Sequence, residues 1–126
     1  MSFMKKTLIV LLLIASAGLS SCARNRTGEN FYFGSYSEAE ALYNHGQYEK
    51  AIQKYQAYID ENPEGNLALI SQYYIGRSHA ALGRIDEAKR IFQKIVNEHR
   101  DTVWANFSDS QLKELEKAPA APKAKK

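Results

Sequence analysis

Any chemistry in this chain has to come from one cysteine, three histidines and scattered carboxylates, and their spacing decides which chemistry is open to it. Cys22 is the only cysteine; it closes an uncharged apolar run, Leu8 to Ala15, followed by the small-residue stretch Ser16 to Ser21. A lone thiol forms no internal disulfide, which leaves stability to packing. His45, His79 and His99 have no second histidine three or four residues away, the spacing that sets two imidazoles on one helix face for a metal. His45 falls at a predicted helix end, where a cation-capable ring suits the helix dipole. Glycines stand singly rather than in a phosphate-cradling loop, and Asp60-Glu61 and Asp86-Glu87 read as solvated pairs at helix termini. The expectation is no catalytic centre, no metal, no cofactor and no small-molecule substrate.

The start of the chain explains the cysteine. Met1 to Lys6 carries two lysines, the apolar stretch follows, and small residues precede Cys22, the three parts of a secretory signal. The stretch falls short of the roughly 20 apolar residues that span a bilayer. Leu19-Ser20-Ser21-Cys22 resembles the lipobox of bacterial lipoproteins. That resemblance implies a covalent lipid on Cys22, cleavage before it and acylation of the new amino terminus; the alternative is a free thiol left by ordinary signal cleavage. Several acyl chains anchor firmly where one does not, since each buried methylene adds about 0.8 kcal/mol. Ala23, rather than an aspartate, follows the cysteine, which by the same resemblance points to the outer membrane, facing the periplasm. In such a lipoprotein the sequon Asn106-Phe107-Ser108 carries little weight.

Loss of residues 1 to 21 removes Lys5 and Lys6 and takes the net charge from +3 to +1; the four lysines from Lys117 onward then leave residues 22 to 116 at −3. A nucleic-acid binder shows a basic folded face, and this one is mildly acidic. The tail, residues 117 to 126, mixes Pro, Ala and Lys and is predicted to be disordered. Its charge reads either as a contact for an anionic surface or as a solvated end, the second favoured.

The elements between are helical. Ser37 and Glu40 form a capping box opening a short helix that ends at Gly46. Tyr48, Ala51, Ile52, Tyr55 and Ile59 recur at helical spacing until Asn62-Pro63. A third helix is predicted over about Leu67 to Leu82, stopped by Gly83; a fourth carries Ile85, Ala88, Phe92, Ile95 and Val96; a fifth runs from Val103 to about Glu116. No strand pattern is visible.

An offset of 37 residues lays Gly46 on Gly83, Tyr48 on Ile85, Ala51 on Ala88, Tyr55 on Phe92 and Ile59 on Val96, and sets Ala68, Ile70 and Ile75 on Ala105, Phe107 and Leu112. A repeat of this length made of two helices is the signature of a solenoid. The segment of glycine, apolar residue, small residue, aromatic and closing proline, here Gly46, Tyr48, Ala51, Tyr55 and Pro63, resembles the tetratricopeptide repeat (TPR). The second copy has Gly83, Ile85, Ala88 and Phe92, with Arg100 where that family has proline, and Gly76 and Ala39 take its small position in the leading helices. The offset exceeds the family's usual period by three residues. The resemblance implies an all-α superhelix: residues 1–21 signal peptide, 22–35 lipidated tether, 36–116 two helical hairpins plus a C-terminal capping helix whose Phe107 and Leu112 face the stack, and 117–126 tail.

In this family the leading helices line a groove that receives a peptide or helix of a partner. By position the groove residues are Tyr36, Glu40, Tyr43 and Asn44, then Ile70, Tyr73, Tyr74, Arg77 and Ala81; for Tyr73 and Tyr74, packing between repeats is an equal alternative. Tyrosine and arginine are residue types that dominate interface energies. The expected function is a non-catalytic, membrane-anchored adaptor that binds an envelope protein, for assembly, secretion or cell-wall maintenance. The resemblance is in style to lipoproteins of outer-membrane assembly and to Tol-Pal repeat domains, without their length. Alternatives are a docking subunit for a peptidoglycan enzyme and a pilotin-like chaperone for a secretin or pilus subunit.

Overall fold

The computed structural model describes residues 33–118, all within the compact unit Tyr32–Lys126. The leader, Cys22, most of the tether and the tail beyond Ala118 lie outside the described residues. Five helices follow one another: α1 (Ser35–Asn44), α2 (Tyr48–Glu61), α3 (Asn66–Ala81), α4 (Ile85–Glu98) and α5 (Val103–Lys117). Among the described residues there is no strand, and no helix is long and apolar enough to cross a membrane.

Local sequence explains the breaks. Gly46 and Gly83 sit at φ 72° and 76°, the left-handed region a side chain disfavours. Each closes a Schellman motif: Gln47 and Gly46 donate to the carbonyls of Leu42 and Tyr43, and Arg84 and Gly83 to those of His79 and Ala80. Pro63 stops α2 because the residue before a proline is pushed out of the helical region, and Asn62 indeed sits at φ −139°, ψ 63°. At α5, the Thr102 hydroxyl accepts from the Ala105 N–H, a side-chain N-cap.

The start of α1 differs from expectation. Ser37 is not the N-cap: Gly34 is, at φ 56°, and the helix begins at Ser35. Glycine lets the chain turn into the helix earlier, and the Ser37 hydroxyl reaches back to accept from the Phe33 N–H at 2.9 Å. The helical part thus takes in Ser35, read from the sequence as tether, and at the far end Lys117, read as tail.

Each helix packs on the next, forming the hairpins α1–α2 and α3–α4 with α5 against α4. In addition α1 touches α3 and α3 touches α5, whereas α2 and α4 do not meet. Spacing is therefore shorter on the side of the odd-numbered helices, and the stack curves with α1, α3 and α5 on its concave side. Between the splayed α2 and α4 the convex side opens a shallow cleft of about 240 Å³, lined by Gln56, Ile59, Gln72, Ile75, Ile91 and Lys94.

The core has two halves. Tyr36, Ala39, Ala51, Tyr55 and Ile75 form one, and Tyr73, Ala88, Phe92 and Ile95 the other, with Tyr74 and Ile91 packed against both. The fifth helix covers the second half with Trp104, Leu112 and Leu115. Phe107 faces the stack only in part: it lies against Tyr73 and Trp104 but stands 46% exposed. Ala39, Ala51 and Ala88 have no exposed surface, consistent with small residues that let paired helices approach. Closest of all is Gly76, where an added Cβ would stand 2.8 Å from Phe92 Cε1 and 3.2 Å from Ile91 Cγ2. Phe92 is fully buried, so a shift of its ring must displace other core side chains. A Gly76→Ala change gains about 1 kcal/mol of helix propensity and incurs about 1–3 kcal/mol of overpacking. Denaturant titration is expected to show a net loss of stability, and Phe92→Leu in the same chain to recover part of it; independent, additive effects would contradict the contact.

Candidate functional site

The concave surface is built from the faces of α1, α3 and α5 turned away from α2 and α4. Along α3, Ile70, Tyr73, Tyr74, Arg77 and Ala81 recur at helical spacing, and the offset of 37 places Glu40 of α1 level with Arg77 and Glu114 of α5 level with it again.

The structure sorts the expected groove residues by burial. Glu40, Asn44, Arg77 and Ala81 are exposed, and Tyr43, Ile70 and Tyr74 half-buried. Tyr36 and Tyr73 are a correction: each is only 7% exposed and packs in the core. Tyr36 meets Tyr55 and Tyr58 edge-on at 5.7 and 5.6 Å, and Tyr73 meets Phe92 at 5.7 Å and Trp104 at 5.2 Å. Neighbouring helices α2, α4 and α5 supply those rings and close over the two tyrosines. The repeat-defining residues Ala51, Tyr55, Gly76, Ala88 and Phe92 lie in the interior, and Gly46, Pro63 and Gly83 in exposed turns.

Phe107, expected from the sequence to face the stack, does so with one side and opens the other to the concave surface. It lies against Trp104 at 5.5 Å and Tyr73 at 6.2 Å with nearly half its surface open. Its signal was present, because the offset sets it on Ile70, already a groove position. Glu114 is not among the expected groove positions, yet the same offset sets it on Arg77.

Arg77 organises the middle of the surface. Its guanidinium carbon lies 5.7 Å from the Tyr43 ring centroid, within cation–π range. Burial raises the phenols of Tyr43 and Tyr73, and in both cases the neighbouring Arg77 cation pulls them partly back. On the α1 side, Tyr36 is pushed up to about 12 by burial and then by the Glu40 carboxylate beside it. On the α5 side, Glu114 adds to the rise at Tyr73. Among the described residues the ion pairs are Lys54–Glu38, Arg84–Glu49, Arg90–Glu87 and Lys113–Asp109. Glu40, Arg77 and Glu114 belong to none of them.

The histidines do not converge: among the described residues no three His, Cys, Asp or Glu side chains are placed to hold a metal ion. His79, at the end of α3, has a buried Nδ1 without a hydrogen-bond partner. Its pKa is lowered from 6.5, first by burial and then by the Arg84 cation, with Glu87 and Glu49 opposing and Arg90 adding. Between that lowered value and 6.5 the unfolded chain binds more protons at this site than the folded one. Stability is therefore expected to be full above pH 6.5, to fall as pH drops through it, and to level off below the folded value. Denaturation midpoints between pH 7.5 and 5.5 check this, and His79→Gln is expected to flatten that stretch.

Residues 42–108, more than half of the chain, match the family model of the tetratricopeptide repeat, and neither a curated protein nor a solved structure matches. The match spans the stretch in which the offset of 37, the two glycine-closed turns and the small-against-aromatic contacts recur. On these grounds the chain belongs to the tetratricopeptide repeat family, whose domains are typically protein-interaction modules.

Proposed function

We propose that this protein is a non-catalytic adaptor, held by a lipid on Cys22 at the outer membrane and facing the periplasm, whose concave TPR surface binds a segment of another envelope protein. One observation carries the binding reading: the inner face of the stack leaves Arg77 exposed on the ring of Tyr43, with Asn44, Ile70 and Phe107 at least partly open around it. Arginine and aromatic side chains supply contact area and donors in the mixture that dominates interface energies. The anchor reading is supported by sequence: the basic start, the apolar run and Leu19-Ser20-Ser21-Cys22.

Two experiments check the two halves. A photoreactive amino acid at position 107 or 44 is expected to crosslink in cells to one discrete envelope protein, and the same probe at Lys94, on the convex cleft, is not; equal capture from Lys94 would count against the groove. Radiolabelled palmitate is expected to enter the wild-type chain and not Cys22→Ser, with the variant leaving the membrane fraction. Labelling that persists in the variant would remove the anchor.

A further inference from the structure

The row Glu40, Arg77, Glu114 carries more information than an open groove does. These residues hold one repeat position on three successive concave helices, they alternate in sign, and all three are exposed. None of the ion pairs among the described residues includes them, although Lys54, Arg84, Arg90 and Lys113 each hold a carboxylate; the neutral Tyr36 hydroxyl hydrogen-bonds to the Glu40 carboxylate and leaves its charge unmatched. Glu114 accepts only from Gln111 on its own helix, at 3.3 Å. Beside the row run Ile70, half-buried, and Phe107, 46% exposed.

From this pattern we infer that the partner segment is amphipathic with a plus–minus–plus order: an internal Asp or Glu for Arg77, a Lys or Arg on each side for Glu40 and Glu114, and an apolar side chain on Ile70 and Phe107. The inference rests on the groove reading and names its ligand. A carboxylate suits Arg77 because a guanidinium seated on a ring keeps its in-plane donors free for a planar two-oxygen acceptor. An internal side chain is chosen over a chain terminus because charged positions continue on both sides of Arg77, so the partner passes through rather than stops there. Opposite charges in register steer the encounter and set direction, and like charges in register exclude the reversed pattern.

The test uses the full chain and fluorescein-labelled 15-residue peptides read by anisotropy at 0.15 M salt. One set carries Lys–Glu–Lys with leucines between, its charge spacing varied from three to seven residues; the other carries Glu–Lys–Glu at the same spacings. At least one Lys–Glu–Lys peptide is expected to bind about tenfold more tightly than every Glu–Lys–Glu peptide, the preference weakening with salt. Arg77→Glu, an exposed change expected to leave the far-ultraviolet circular dichroism intact, should cancel or reverse it. Equal binding of both sets, no binding of either, or an unchanged preference in Arg77→Glu would overturn the inference. Each of those results leaves the groove reading to stand or fall on crosslinking from position 107.

Discussion

The ring of Tyr74 is the contact on which the domain depends. It lies nearly parallel to Tyr55 of the first hairpin, 14° between planes and 5.7 Å between centroids, and meets Tyr43 on edge at 5.1 Å. Its sequence neighbour Tyr73 turns the other way, to Phe92, Trp104 and Phe107. Because Tyr73 and Tyr74 also touch at 5.6 Å, aromatic contact runs unbroken from Tyr58 on α2 to Phe107 on α5. Each such pair is worth about 0.5–1.5 kcal/mol beyond the area it buries. A hairpin alone would expose half of this assembly, and stacking is therefore a condition of folding rather than an addition to it.

Polar interactions contribute little by comparison. The four ion pairs all lie at the surface, every side chain in them more than two-fifths exposed, where such pairs contribute about 0–1 kcal/mol each. Several buried hydroxyls, Tyr55 Oη, Ser71 Oγ and Ser108 Oγ, have no hydrogen-bond partner and cost stability. The second hairpin avoids that cost at the position of Tyr55 by carrying Phe92. Ser71 and Ser108 share one repeat position, which marks a place where smallness outweighs polarity.

Much of this was legible in the sequence because it is local or periodic. The offset of 37 placed Gly46 and Gly83 at turns, Ala51 and Ala88 at close helix approaches, and Tyr55 and Phe92 in the core. Most of what escaped was decided by residues distant in the chain. Tyr36 and Tyr73 have the chemistry of surface contact residues, and only the arrival of Tyr58 and Trp104 from other helices buries them. Phe107 read as core by its type, but α5 ends the described stack and no later helix covers that face. Ser37 read as a cap because its own spacing was right; the dihedral freedom of Gly34 moved the helix start past it. The groove was thus legible as a set of positions, and its division into exposed charge and buried ring was not.

Helix α3 ties both hairpins and the capping helix into one cooperative unit through Tyr73 and Tyr74. Trp104, the only tryptophan of the chain, sits at one end of that unit, whereas far-ultraviolet circular dichroism reports all five helices. Denaturant unfolding of the full chain followed by both signals tests the claim directly. Coincident transitions with one midpoint are predicted; a tryptophan transition that precedes the loss of helix would show the hairpins unfolding separately and contradict it.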